Sequence, residues 1–257
     1  MRAVILDLTK PDLFPLSLAM IASALAGFSR GFAAFGAAMI YIPLVTLAYD
    51  ARTAVVTIFL VDLVPSLPLI WKAAPQCDRQ TIFWMAIGAM TLSPIGVALL
   101  LVASQTQTQF IMGSVLMAAA TYMLINRNFR MSASPLLSIC AGAVSGLSGG
   151  ISGIFGPPAM IYLVGRSNDA RSSRDDTIVY LTGESVILGI SYYIYDIYES
   201  SYFKLAIILI PIYGLSIWCG TKCFARTSEA SYRRAILALL WGISAFLLGR
   251  SVLAFSA

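Results

Sequence analysis

Long apolar segments recur along the whole chain, with short polar stretches between them. A helix of about 20 apolar residues crosses a bilayer, and most of these segments approach that length. They lie at positions 13–28, 32–48, 53–71, 80–102 and 108–125, and then at 135–154, 157–164, 177–195, 202–219 and 234–255. The pattern predicts an all-α polytopic membrane protein.

The second set of segments repeats the first. Identical residues recur in the same order: Gly27, Ser29 and Gly31 align with Gly146, Ser148 and Gly150, Phe35-Gly36 with Phe155-Gly156, and Met39-Ile40-Tyr41 with Met160-Ile161-Tyr162. Ordered identities of this kind indicate a duplication. We predict a single transmembrane domain over residues 1–257, with repeat one at about 12–126 and repeat two at about 135–255.

Each half begins with two short segments interrupted by glycine and, in the second half, by proline. The predicted break residues are Gly27, Gly36 and Pro43 in the first half, and Gly146, Gly156, Pro157 and Pro158 in the second. Segments this short are typical of half-helices that meet near the middle of the bilayer. Each half is therefore predicted to contain a broken pair and three transmembrane helices.

The loop charges favour a broken pair that enters the membrane and returns. Under that topology most Lys and Arg residues fall on one side: Lys72, Arg79, Arg127, Arg130, Arg166, Arg171, Arg174, Lys222, Arg226, Arg233 and Arg234. The other side holds Arg2, Lys10, Arg52, Lys204 and Arg250. Since cytoplasmic loops carry the cations, both termini are expected outside, and the halves become inverted repeats. The tyrosines between 192 and 202 are expected to form an interfacial belt.

Composition narrows the possible chemistry. Hydrophobic residues make up 59% of the chain and charged residues 11%, and the net charge of +5 resides in loops, which argues against nucleic-acid binding. Histidine is absent, so a Ser-His or Cys-His catalytic pair is excluded, and the four cysteines form no metal-like cluster. We predict no enzymatic activity, no cofactor and no metal.

The two glycine-broken passages are candidate anion sites. Helix ends inside a bilayer expose free N–H groups and a partial positive charge, and glycine lets backbone approach a ligand. The predicted substrate-binding residues are Ser29, Arg30, Gly31 and Phe35 in the first passage, and Ser148, Gly149, Gly150, Ser152, Gly153 and Phe155 in the second. Close helix packing through small residues remains the alternative for the glycines.

Arg30 is left in the membrane between the first two segments, and Asp62 and Glu184 are the two acids well inside ordinary spans. Arg30 suits an oxyanion, because its guanidinium donates two parallel hydrogen bonds; the alternatives are an internal ion pair with Asp62 or Glu184, or an interfacial position. An intramembrane charge is costly and usually functional. Asp62 and Glu184 are candidates for proton coupling or for balancing Arg30.

Together, these features resemble the TauE/SafE family of bacterial membrane transporters, also called the toluenesulfonate uptake permease or sulfite exporter family. The residues that carry the resemblance are Gly146, Gly149, Gly150, Gly153 and Pro157, and Gly27, Gly31, Gly36 and Pro43. The resemblance covers nearly the whole chain. It implies transport of small sulfur oxyanions or organosulfonates across the bacterial inner membrane.

Two functions are consistent with the sequence. The first is a secondary transporter that moves a small anion by alternating access through the lipid bilayer. The second is a non-transporting accessory or binding subunit that packs a partner against its glycine-rich interfaces. The sequence predicts neither the oligomeric state nor the direction of transport.

Overall fold

The fold was analysed in a computed structural model. It describes residues 13–102, 131–166 and 170–228 continuously, with single residues and short runs between 106 and 125 and between 231 and 253. Throughout these residues the ordered structure is helical. The continuous helices are α1 (Leu13–Ala33), α2 (Ala37–Val45), α3 (Ala51–Ala73), α4 (Arg79–Val102), α5 (Pro135–Ser152), α6 (Gly156–Arg166), α7 (Ala170–Ile194) and α8 (Ser200–Phe224).

Six of these helices are long and apolar enough to cross a membrane. They are α1, α4, α5 and α8, with Arg52–Ala73 of α3 and Arg171–Ile194 of α7. The predicted all-α polytopic membrane protein is confirmed. The predicted segments at 108–125 and 234–255 lie largely outside the described residues.

The breaks lie later in the chain than the glycine pattern predicts. The first break is at residues 34–36, where Ala34 and Gly36 have φ of 69° and 88°. The second is at residues 153–155, where Gly153 ends α5 with φ of 72° and its N–H donates to Gly149 O at 2.6 Å. A positive φ closes an α-helix, and glycine adopts it without steric cost.

The predicted break residues Gly27, Pro43 and Gly146 are wrong. Gly27 lies inside α1, Pro43 inside α2 and Gly146 inside α5. A helix keeps its backbone hydrogen-bonded within the bilayer, while its glycines let a neighbouring helix approach closely. Three of the other predicted break residues begin α6: Gly156, followed by Pro157 and Pro158 in the first turn, where proline is tolerated.

Glycines hold α1 against α8 and α4 against α5. An added Cβ at Gly27 would lie 2.5 Å from Tyr213 O, and one at Gly96 would lie 2.5 Å from Leu147 O. At these distances an added Cβ would overlap the backbone of the neighbouring helix, so the two helices would have to move apart. The close-packing alternative therefore describes much of the glycine pattern.

Helix directions follow from successive contacts. Ser23, Gly27 and Gly31 of α1 contact Leu209, Tyr213 and Ile217 of α8 in that order, so the two helices run parallel. Gly88 and Gly96 of α4 likewise lie against Ile139 and Leu147 of α5, which makes that pair parallel too.

Each short helix returns towards the start of its own half. Arg30 of α1 bonds Asp62 near the middle of α3, whereas Tyr41 of α2 bonds Thr57 nearer to the start of α3. In the second half, Ser138 in the first turn of α5 bonds Tyr162 near the end of α6 at 2.8 Å. Both broken pairs therefore turn back inside the bundle.

We name the two ends of the bundle by their acids. The Asp50 end contains the start of α3, where the Asp50 side chain accepts from Thr53 N at 2.7 Å. The Asp78 end contains the start of α4, the end of α6 at Arg166 and the start of α7, where Asp176 accepts from Asp78 N at 2.7 Å. Between the two ends, α3 and α7 pack against each other.

Candidate functional site

The two breaks meet at one cavity. The cavity lies between α3 and α7. Its walls come from Arg30 near the end of α1, from the first break and α2, from the second break and the start of α6, and from the facing sides of α3 and α7: Arg30, Phe35, Gly36, Ala37, Ala38, Met39, Val55, Ile58, Phe59, Asp62, Gly153, Ile154, Phe155, Gly156, Leu181, Ser185, Leu188 and Tyr192. The wall residues from α3 lie in the first half of that helix, so the cavity is nearer to the Asp50 end of the bundle.

Helix α2 begins at this cavity. Its first-turn residues Ala37, Ala38 and Met39 line the wall, and the first helical acceptor, Gly36 O, is taken by Ile40 N at 3.1 Å. The N–H groups of a first turn have no acceptor within their own helix and carry the positive end of the helix dipole. Helix α6 also begins here but offers fewer donors, because Pro157 and Pro158 lack an N–H.

Arg30 is buried at the cavity wall, with 3% of its surface exposed. Its Nε donates to Asp62 Oδ1 at 3.1 Å and lies 3.4 Å from Ser66 Oγ. Nη1 donates to Ala34 O at 2.6 Å, and Nη2 donates to Thr182 Oγ1 at 3.0 Å. Arg30 thus ties α1, the first break, α3 and α7 together, and it forms the ion pair with Asp62 that the sequence left as one alternative.

The same bonds leave Arg30 with capacity for a ligand. A guanidinium carries five N–H donors. Among the described residues the bonds above use three of them, which leaves one N–H on each Nη. Two nitrogens of one guanidinium match the spacing of two oxygens of an oxyanion, which is the geometry of a bidentate contact.

Asp62 is a counter-ion with several donors around one oxygen. Its Oδ1 accepts from Arg30, from Tyr213 OH at 2.5 Å and from Ser66 Oγ at 2.8 Å. Asp62 is buried, with 6% of its surface exposed. Arg30 therefore balances the charge of this buried carboxylate.

Glu184 lies away from the wall of the cavity. It is 1% exposed, and Ser145 Oγ lies 2.7 Å from its Oε2. Within the described part of the chain it forms no ion pair, and its Oε1 has no hydrogen-bond partner. The two candidate proton carriers therefore occupy different environments.

The predicted substrate-binding residues divide into two groups. Arg30, Phe35, Gly153 and Phe155 line the cavity. Ser29, Gly31, Ser148, Gly149, Gly150 and Ser152 belong to α1 or α5 and are not among the wall residues.

The hydroxyls of the second group bond to backbone instead. Ser29 donates to Phe35 O at 3.0 Å, Ser148 to Ser145 O at 2.9 Å and Ser152 to Ser148 O at 2.7 Å. Serines in helices often bond the carbonyl one turn earlier. These side chains shape the breaks and the helices that carry them.

Several site residues escape prediction from sequence. Thr182, Ser66 and Tyr213 complete the Arg30 and Asp62 network, and only Ser66 carries a local signal, one helical turn after Asp62. Tyr192 is expected in the interfacial belt, but it is buried, packs its ring 6.1 Å from that of Phe59 and lines the cavity. The belt prediction is wrong for Tyr192 and for buried Tyr202.

Comparison with known protein families matches this chain to one of them. A family model described as sulfite exporter TauE/SafE matches residues 19–247 of the chain. The chain belongs to the TauE/SafE family. Neither a curated protein nor a solved structure matches it.

Membership confirms the resemblance drawn from the glycine and proline positions. TauE/SafE is a family of sulfite and sulfonate transporters in general, which favours transport over catalysis for this chain. Six membrane-length helices agree with a multi-pass protein that handles a small molecule in a lipid environment.

Proposed function

We propose that this TauE/SafE protein is a secondary transporter of small anions, most specifically sulfur oxyanions or organosulfonates. The observation that carries the proposal is the cavity where both breaks meet, with Arg30 on its wall. One cation, two helix starts and a site near the middle of α3 are what an anion would need to be held within a bilayer.

The remaining Arg30 N–H groups and the first-turn amides of α2 bind the oxyanion in this proposal. Phe35, Phe155 and Tyr192 supply apolar and aromatic wall, which suits the organic group of a sulfonate. Asp62 stays paired with Arg30 and sets the guanidinium plane through Nε. Buried charge-assisted hydrogen bonds then give orientation as well as affinity.

Alternating access between two inverted repeats provides the movement. In support, α1 runs parallel to α8 and α4 parallel to α5, and exchanging the halves converts one pair into the other. Phe59 of α3 lies against Tyr192 of α7, whereas Asp62, which comes later in α3, reaches the earlier α7 residue Thr182 through Arg30. Helices α3 and α7 are therefore antiparallel, which agrees with inversion of the two halves. Rocking of one repeat against the other would move the cavity from one side to the other.

The membrane orientation also belongs to the proposal. Lys72, Arg79, Arg166, Arg171 and Lys222 cluster towards the Asp78 end, whereas Arg52 and Lys204 lie towards the Asp50 end. The positive-inside rule then places the Asp78 end in the cytoplasm and both termini outside, in a bacterial inner membrane.

Flux into proteoliposomes tests the transport proposal. The panel contains sulfite, an aliphatic sulfonate, an aromatic sulfonate and a carboxylate of matched size. We expect uptake of sulfur oxyanions by the wild type and loss of uptake by Arg30→Ala. Arg30→Lys keeps the charge but loses the planar fork, so it is expected to retain only part of the uptake.

Arg226→Ala is the matched control, because Arg226 is exposed and lies after α8. It should transport like the wild type. Size-exclusion profiles of each variant separate loss of binding from loss of folding. Absence of flux for every sulfur oxyanion, or unchanged flux in folded Arg30→Ala, contradicts the proposal.

A further inference from the structure

One hydroxyl stands between a buried acid and the second break. Ser145 Oγ lies 2.7 Å from Glu184 Oε2 and 2.7 Å from the carbonyl oxygen of Phe155. Ser145 and Glu184 are fully buried, with 0% and 1% exposure. Both contacts are short and well within hydrogen-bond distance.

The number of protons decides how both contacts form. A serine hydroxyl has one hydrogen to donate and can also accept, whereas a carbonyl oxygen only accepts. If Ser145 donates to Phe155 O, the hydrogen between Ser145 and Glu184 has to come from Glu184. An ionised Glu184 would leave one of the two oxygen pairs without a hydrogen between them.

The surroundings of Glu184 agree with a neutral carboxyl. On α7 itself, the nearest titratable groups are the hydroxyls of Tyr180 and Tyr192. Ser145 and Gly149 of α5 lie beside Glu184, and Phe155 of the second break lies next to Ser145. Ala89 and Ser93 of α4, which pack against α5 at Gly146, are uncharged. A buried carboxylate without a cation is costly, and such groups usually bind a proton instead.

Asp62 provides the contrast. Arg30 faces it from α1, Ser66 from α3 and Tyr213 from α8, and all three donate to the same oxygen. The charge of this carboxylate is balanced by a cation, whereas no cation is paired with Glu184 within the described residues. The two candidate carriers are therefore separated by geometry.

We propose that Glu184 is the proton-binding group of the transporter and that Ser145 links its protonation to the second break. The link rests on the proposed transport function. With Glu184 protonated, its Oε2–H donates to Ser145 and Ser145 donates to Phe155 O. When the proton leaves, the Ser145 hydrogen turns to the carboxylate, and Phe155 O loses its donor. Because Phe155 lines the cavity, proton release changes the wall that faces the anion.

Infrared difference spectroscopy of the purified protein tests the proton site without transport. At neutral pH the wild type should show the carbonyl stretch of a protonated carboxyl, and alkaline pH should remove it. Glu184→Gln should lack this band, whereas Asp62→Asn and the exposed control Glu199→Gln should keep it. Glu184→Gln retains an N–H donor for Ser145, so it is expected to fold.

Ser145→Ala is a second variant that leaves the acid in place. It should shift the carboxyl band, because Glu184 loses its acceptor. A band of full intensity in Glu184→Gln, or no carboxyl band in the wild type at neutral pH, overturns the proposal.

Exchange and gradient-driven uptake test the coupling. Wild type and Glu199→Gln should accumulate anion under a pH gradient, and their exchange rates should change with pH. Glu184→Gln should lose gradient-driven accumulation, and its exchange should no longer depend on pH. Accumulation by Glu184→Gln at the wild-type level overturns the coupling. If the wild type transports nothing while the infrared band behaves as expected, the transport proposal fails and the proton site stands.

Discussion

At the scale of single residues, Arg30 is the side chain on which most of the site depends. It joins α1 to Asp62 on α3 and to Thr182 on α7, and it also bonds the carbonyl of Ala34 in the first break. A buried ion pair is expensive to desolvate, so its presence does not by itself make the protein more stable. It does make the removal of one partner costly.

Arg30→Ala is therefore expected to lower the free energy of unfolding by about 3–5 kcal/mol, because Asp62 is left buried without its cation. The double variant Arg30→Gln with Asp62→Asn removes both charges and should recover much of that loss. Denaturant unfolding in one detergent measures both. A loss below about 1 kcal/mol in the single variant would show that Asp62 is not left as an unpaired buried charge.

At the scale of elements, glycines determine how closely the helices pack. Gly220 of α8 lies against the backbone of α1, where an added Cβ would come within 2.8 Å of Phe32 N. Gly214 lies on the same helix, but its added Cβ would be 3.6 Å from the nearest neighbour, Pro65. The two positions separate a packing requirement from a general effect of glycine in α8.

Gly220→Ala is expected to destabilise the protein by about 1–3 kcal/mol, because the α8 and α1 backbones have to move apart. Gly214→Ala should stay within about 0.5 kcal/mol of the wild type, since ordinary contact distance is kept. Thermal unfolding of both variants in the same detergent gives the comparison. Equal effects would mean that α1 and α8 do not pack as closely as described.

At the scale of the whole molecule, a polar cluster at the Asp78 end joins the two halves. Arg166 at the end of α6 bonds both Asp78 and Thr81 around the start of α4. Burial raises the pKa of the Asp78 carboxyl, but hydrogen bonds from Arg166 and Thr81 outweigh burial, so this pKa lies below its ordinary value. The pair therefore stabilises the assembled halves only while Asp78 is ionised.

The pH dependence has a defined sign. A carboxyl with a lowered pKa contributes stability above its ordinary pKa of about 4, and that contribution disappears as pH falls through the folded value. The side chain of Asp78 is 37% exposed, so solvent screening limits the contribution to about 1 kcal/mol or less. Asp78→Asn should lower the unfolding temperature slightly at neutral pH, and the difference from wild type should shrink on acidification. A difference that grows at low pH contradicts the pairing.

The proposed orientation can be tested on intact cells. In a cysteine-free background, Glu199→Cys marks the Asp50 end and Arg226→Cys marks the Asp78 end, and both positions are exposed. A membrane-impermeant maleimide should label Glu199→Cys from outside, whereas Arg226→Cys should react only after permeabilisation. The reverse pattern would invert the protein in the membrane.

The sequence by itself determined the membrane class, the positions of most spans and the presence of a break in each half. Length and apolar composition suffice for this, because a helix that crosses the bilayer needs about 20 predominantly apolar residues in succession. The sequence also placed Gly36 and Gly156 at the breaks, where φ is positive or a helix begins.

Only the tertiary structure separated the two uses of glycine. Gly27 and Gly146 lie in the same glycine-rich passages as the breaks, yet they pack α1 against α8 and α5 against α4. A missing Cβ permits both a turn and a close helix contact, so the residue type cannot distinguish them. The partner helix, which is distant in sequence, decides.

The same reason applies to the charged residues. The sequence identified Arg30, Asp62 and Glu184, but their roles depend on Thr182, Tyr213 and Ser145, which approach from other helices. An intramembrane charge has to be balanced by whatever the fold brings beside it, because water is not there to do so. The tertiary structure therefore decided that Arg30 forms an ion pair with Asp62, whereas Glu184 is surrounded by hydroxyls and has no cation paired with it within the described residues.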